Sequence, residues 1–407
     1  MFNKLFHYQP NFEIKWRIVL PVILLCCISL LLLKSTSQNQ EFIGSTLFKQ
    51  FVWIGVGVLV FYLVQVVKTQ VFYEYAYILF GLLIIALLVT YFMPVISGAS
   101  RWIILGPIRF QPSEMGKLIV IFALAKFLSD QHEHINPKKV IPITLGIAVL
   151  PAIIVFRQPD LGTAIIYFAV VIPMLYWAGI RPYHLFIVFA PVVSILAAFN
   201  LLSFYIWMAI VIVVLFTSQP KLLIGVGNFL INIAFGTLST LIWNKLYTHQ
   251  QERILTFFDP FRDPRGAGYQ IIQSITAIGS GGIFGKGYGQ GTQTHLRFLP
   301  VRDTDFIISV AGEEFGLFGI LFILILFFVL IYCLIVYARR VHNRFASLSI
   351  IGFTAILFVH TIVNIGMVVG LVPVTGLPVP FISYGGSFLL SAVVTIAISN
   401  NIINYDI

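Results

Sequence analysis

The stretch DPFRDPRGAGYQIIQSITAIGSGGIFGKGYGQGTQTHLRFLPVRDTDFIISVAGEEFG, from Asp259 to Gly316, gathers the residues that could do chemistry. It carries the acids Asp259, Asp263, Asp303, Asp305, Glu313 and Glu314 and the cations Arg262, Arg265, Lys286, Arg297 and Arg302. A carboxylate here could take a proton, and the cations could hold an anionic group. Charged residues make up only 10% of the chain, so such a cluster between apolar runs needs a cause. Polar groups survive at membrane depth only where they are buried in protein or face water. The stretch therefore reads as a reaction site.

An apolar chain must position it. Of 407 residues, 59% are hydrophobic and 15% aromatic, too apolar for a soluble globule. Uncharged runs long enough to cross a bilayer predict spans at 18–33, 51–67, 71–94, 113–128, 140–156, 162–179, 184–201, 204–217, 222–241, 306–337, 346–367 and 386–402. The fold class is all-α: one polytopic transmembrane helical bundle over 1–407, of about 10–12 spans, with a large outer loop near 242–305. Lys68, Lys138, Lys139, Arg181, Lys221, Arg339, Arg340 and Arg344 fall in alternate loops with the basic N-terminus, which puts both termini in the cytoplasm. Lys34 and Lys49 dissent and are outnumbered.

The net charge of +10 does not point to nucleic acid, because the cations sit in short loops where topology and anionic membrane lipids account for them. Cys26, Cys27 and Cys333 lie inside apolar runs and read as packing residues. Lys15 and Arg17 precede an apolar run with no small-residue cleavage site, so the first helix reads as a signal anchor. The alternating Gly285, Gly287, Gly289 and Gly291 lack the strand–helix unit and lysine of a nucleotide site. His132, Glu133 and His134 have the wrong spacing for a helical zinc pair, and no metal site is assigned.

Four outer loops, 95–112, 157–161, 242–305 and 368–385, hold the remaining unusual residues. The first carries Arg101, Trp102 and Arg109 and leads into a helix where Glu114 and Lys117, three apart, share a face and can pair. The second is Arg157-Gln158-Pro159-Asp160, in which Asp160 suits a helix N-cap. The last, PVTGLPVPFISYGGS, uses Pro378 and Pro380 to break the helix before Ser383.

The motifs RFQPSEMGKL, RQPDLGTA, DPRGAGYQIIQSITAIGSGGIFGKG, FLPVRDTDFIISVAGEEFG and LPVPFISYGGS, in this order on a many-helix scaffold, resemble the SEDS family (shape, elongation, division and sporulation proteins). The likeness spans nearly the whole chain and is nearer to the RodA members than to the FtsW members. It implies a peptidoglycan glycosyltransferase that polymerises lipid II outside the cytoplasmic membrane during wall elongation, beside a class B penicillin-binding transpeptidase. By motif, the family's key acid falls on Asp305, its QPSE..K pair on Glu114 and Lys117, and its QPDLGTA acid on Asp160. Where members commonly show Leu-Pro-Glu-x-His before Thr-Asp-Phe, this chain has Val301 and Asp303. The helix pair 204–217 and 222–241 is also additional to the family's ten spans.

That chemistry suits the residues. An α-linked donor giving a β1,4-linked product implies direct displacement with inversion, for which Asp305 as general base on the acceptor 4-hydroxyl suffices. The pyrophosphate leaving group calls for cations, and Arg101, Arg109, Lys117, Arg157, Arg262 and Lys286 are candidates on the outer side. Glu114, Asp160 and Ser383 are the further substrate-side candidates. No cofactor is required, and a divalent cation is left open. The rival reading is a transporter that flips a lipid-linked precursor, with Glu313 and Glu314 on an ion path.

The alternation of charge gives a test of sidedness. In intact cells, Gln293→Cys should react with a membrane-impermeant maleimide and Asn343→Cys should not; the opposite labelling pattern would overturn the topology.

Overall fold

Hydrocarbon offers the backbone no partner, so apolar runs close their hydrogen bonds within helices. The computed structural model describes residues 13–37, 41–94, 100–105, 108–131, 136–219, 222–245, 251–252, 255–257, 259–264, 266, 268–295 and 298–406. The His132-Glu133-His134 group, Lys221, Arg265 and Arg297 lie outside the described residues. The helices are α1 (Trp16–Thr36), α2 (Thr46–Gln65), α3 (Thr69–Val89), α4 (Pro112–Asp130), α5 (Pro137–Arg157), α6 (Leu161–Ala169) and α7 (Val171–Ala178). They continue as α8 (Pro182–Ala197), α9 (Leu201–Ser218), α10 (Leu222–Trp243), α11 (Tyr269–Gly281), α12 (Ile307–Arg340), α13 (Arg344–Val368) and α14 (Gly386–Asp406).

Each predicted span is matched, with α6 and α7 forming one span interrupted at Val170. Pro173 causes that break, since it has no N–H to offer the Ala169 carbonyl. Ten of the spans are long and apolar enough to cross a bilayer among the described residues. The other two are α4, which carries Glu114 and Lys117, and α8, which is shorter. The protein is a multi-pass membrane protein.

Packing grades from a buried centre to a lipid-facing rim. The helices α13 and α14 are mostly enclosed, α13 by α12, α4 and α7, and α14 by α2. At the rim, α9 and α10 pack chiefly on α8, and α9 is largely exposed. A two-stranded hairpin, β1 (Ile103–Leu105) with β2 (Ile108–Phe110), precedes α4 and pairs Ile104 with Arg109.

The segment 242–305 is not simply a loop, because the amphipathic α11 packs along α12 and against α13 within it. Its join to α12 is made by backbone. Lys286 and Gly287 N–H donate to the Glu313 and Glu314 carbonyls, each at 3.0 Å, and Leu317 N–H donates to the Gly282 carbonyl at 3.0 Å. This contact requires glycine on both sides. Gly285 (φ +80°) and Gly316 (φ +66°) face each other so closely that a Cβ on either would overlap the opposing main chain. Gly316 also leaves helical geometry, so α12 is two helices joined at a kink.

Gly316→Ala should therefore destabilise the protein by roughly 1–3 kcal/mol or more, read as a lowered thermal unfolding midpoint in detergent. Gly279→Ala, where an added Cβ meets nothing within 4 Å, is the control and should be neutral or stabilising. Equal behaviour of the two variants would contradict the close join.

Candidate active site

The starts of α2, α4, α6, α12 and α14 and the ends of α1 and α13 converge at one end of the bundle, where Asp305 sits. Asp305 is half-buried, one residue before the N-cap of α12. The N-cap is Phe306, which makes no side-chain cap bond, and the Thr304 hydroxyl turns back to the Val301 carbonyl. Helix capping thus does not account for the carboxylate's position. Successive carbonyls hold the backbone instead. Tyr384 N–H donates to Asp303 O at 2.9 Å, the Ser383 hydroxyl to Thr304 O at 2.6 Å, and the Asn364 side-chain amide to Asp305 O at 2.8 Å. Gly376, at φ +71°, lets its loop approach the turn, and a Cβ there would lie 3.5 Å from Asp305 Oδ2.

Strain flanks this clamp. Val301 (φ +54°) and the fully buried Phe381 (φ +64°) both hold left-handed backbone that bulky residues avoid. Asp303, two residues before Asp305, faces elsewhere: Arg302 Nε lies 3.8 Å from its Oδ1, and the Thr46 hydroxyl donates to its Oδ2 at 3.3 Å. Arg302 also donates to the carbonyls of Thr36 and Thr294, tying the loop to the end of α1. A cleft of about 370 Å³, lined by Thr46, residues 299–304 and Tyr384, opens beside the turn. Burial, and next the Asp303 charge, push the Tyr384 phenol above its ordinary pKa.

Glu114 and Lys117 pair at 2.8 Å on α4, as their spacing predicts, and both are almost wholly buried. Lys117 Nζ lies 3.1 Å from His360 Nε2, and His360 Nδ1 lies 3.1 Å from the Pro378 carbonyl. An ammonium only donates and a carbonyl only accepts, so the imidazole is neutral with its hydrogen on Nδ1. One turn further along α13, Asn364 donates both to Leu377 O at 2.7 Å and to Asp305 O. Through His360 and Asn364, α13 links the buried ion pair to the Asp305 backbone. The void beside the pair is about 10 Å³, no more than one water.

The other candidates divide by engagement. Asp160 is the N-cap of α6, its Oδ1 accepting from Thr163 N–H at 3.1 Å. Gln111 Nε2 donates to Asp160 Oδ2 at 3.3 Å, and Arg101 Nη1 stands 3.6 Å away while Arg101 also donates to the Gln158 and Pro159 carbonyls. Lys286 donates to Glu313 Oε1 at 2.8 Å. The buried Glu313 carboxylate also accepts from Thr292 Oγ1, from Gln293 N–H, and from Thr294 through both its N–H and its hydroxyl. That set fastens the short helix Thr292–His295 onto α12. Ser383 accepts from Val379 N–H as it donates to Thr304, so its hydroxyl holds two loops together. Arg157 and Arg262 are exposed, and Arg109 is placed by its backbone alone. No group of three or more His, Cys, Asp or Glu able to hold a metal occurs among the described residues.

Sequence reasoning missed His360 and Asn364. Their signal was there: two polar side chains a turn apart inside the apolar run 346–367, in surroundings where polar groups are costly.

A helical bundle with its buried ion pairs and a clamped carboxylate at one end defines a polytopic membrane protein built around a polar site. The chain belongs to the FtsW/RodA/SpoVE family of cell cycle proteins, whose model matches residues 13–206 and 182–406. It is 36% identical to the Escherichia coli K12 protein named peptidoglycan glycosyltransferase MrdB, over 83% of this chain and 80% of that one. It is 31% identical to stage V sporulation protein E of Bacillus subtilis 168, over 96% of each. Its fold matches a chain of a solved peptidoglycan synthase complex that coordinates polymerization and crosslinking, with TM-score 0.74, 26% identity, and 97% and 98% of the two chains covered.

Lys117→Met would leave Glu114 charged and unpaired in the bundle and should destabilise by about 3–5 kcal/mol. The double variant Glu114→Gln with Lys117→Met removes both charges and should recover most of that loss in a detergent unfolding assay. No recovery would show that the pair is not the source of the stability.

Proposed function

We infer that this protein is a peptidoglycan glycosyltransferase that polymerises lipid II into β1,4-linked glycan strands, with Asp305 as the general base. The observation that carries the reading is the clamp: Asp305 lies outside the N-cap position of α12 while its backbone is held by donors from α13 and the loop before α14. Membership of a family whose members include proteins named peptidoglycan glycosyltransferases supports it.

In this reading Asp305 takes the proton of the acceptor sugar's 4-hydroxyl as that oxygen displaces the donor's lipid pyrophosphate with inversion. Both substrates are lipid-anchored, so they reach the site along the membrane. Arg157 and Arg262, exposed and without an ion pair among the described residues, are the cations left available to the pyrophosphate, and Arg109 stays a candidate by sequence. Arg101, Lys117 and Lys286 already face Asp160, Glu114 and Glu313, and we assign them, with Ser383, to holding the site's shape. The site faces outward and both termini face the cytoplasm, in keeping with the alternating loop charge. A class B penicillin-binding transpeptidase is the proposed partner, a reading supported by the similar chain's place in a synthase complex. The flippase reading has less to stand on, since Glu313 is saturated by local donors and the buried Glu314 accepts from the Ser35 hydroxyl.

Asp305→Asn keeps size and hydrogen-bonding oxygen but accepts no proton at neutral pH. With labelled lipid II, glycan synthesis by the purified variant should fall about 10²–10⁴-fold, with membrane level and unfolding midpoint unchanged. Asp303→Ala should keep measurable activity. Near-normal polymerisation by Asp305→Asn would remove the assignment.

A further inference from the structure

Far from Asp305, toward the other end of α12, a groove of about 930 Å³ runs between α7 and α8 on one wall and α12 and α13 on the other. Its sides are apolar, with Phe186, Ile335 and Phe358 among them, and Arg339 is the one charged residue that lines it among the described residues. Arg339 is exposed and makes no ion pair or hydrogen bond among the described residues. Its contact is with the Trp177 ring, 6.0 Å from the guanidinium carbon, and Trp177 is held in turn by the Ser347 hydroxyl at 2.8 Å. A cation fixed over an aromatic ring at an apolar groove, with no carboxylate lining it, complements a molecule with a negative head and long apolar tails.

We propose that this groove binds an anionic glycerophospholipid, with acyl chains between α8 and α13 and the phosphate on Arg339. Free lipid tails would fill any rim crevice equally, and the guanidinium supplies the selectivity. The site is independent of the reaction at Asp305 and does not rest on the proposed activity.

The test is native mass spectrometry of the full-length protein in detergent, titrated with phosphatidylglycerol or with phosphatidylcholine of identical chains. Phosphatidylglycerol should bind about fivefold more tightly, the selectivity one surface cation provides. Arg339→Gln should abolish that preference, Arg340→Gln should keep it, and Ala169→Trp, which fills the groove, should weaken both lipids. Soluble glycerol phosphate should compete with neither. Equal binding of the two lipids, an undiminished preference in Arg339→Gln, or displacement by glycerol phosphate would each overturn the proposal.

Discussion

Three consecutive carbonyls, those of Asp303, Thr304 and Asp305, accept hydrogen bonds from Tyr384 N–H, the Ser383 hydroxyl and the Asn364 amide. A turn entering a helix at the edge of hydrocarbon has carbonyls with no partner of their own, and leaving them bare is costly. Supplying donors from α13 and the loop before α14 solves that problem and fixes the turn at once. The Cα–Cβ bond of Asp305 is aimed by that backbone, and His360, Lys117 and Glu114 stand behind the donors.

His360 and Asn364, one helical turn apart, face the loop at Leu377 and Pro378 and touch its carbonyls. Behind His360 stands the Lys117–Glu114 pair, so a charge pair inside α4 props the imidazole that braces the loop. The network is tightly packed, with a void of about 10 Å³ beside the ion pair, which gives it rigidity and makes it intolerant of single deletions. Arg302 does the same for the opposite wall, bridging the end of α1, the short helix at Thr294 and Asp303.

Much of the scaffold was legible because apolar run length is a one-dimensional signal; the spans at 346–367 and 386–402 appear as α13 and α14 within a few residues at each end. The Glu114–Lys117 pair was legible for the same reason, since a three-residue offset is local. Contacts across distance were not. Asn364 and Ser383 lie 59 and 79 residues from the carbonyls they hold, and nothing in their own neighbourhoods announces those partners. Lys286 reads as an available cation until Glu313, 27 residues on, is placed against it. The α11 helix was hidden because it is too short to span, is preceded by Gly268 and ends in Gly281. Gly316 was hidden because GEEFGLFG offers several glycines and only packing shows which one bends the chain. The role given to Asp305 came with the family resemblance more than from its spacing.

The bend at Gly316 bears on where the reaction can take place relative to the bilayer. At ~1.5 Å per residue, the part of α12 from Leu317 to Arg340 measures about 36 Å, already enough for a hydrocarbon slab of about 30 Å. The piece before the bend, Ile307 to Phe315, adds up to about 13 Å beyond that slab. A helix of that length is long enough to hold Asp305 clear of the hydrocarbon. In the proposed reaction the sugar of a polyprenyl diphosphate begins just outside the hydrocarbon, so such a placement would let it meet the carboxylate without either being dragged into the oily interior.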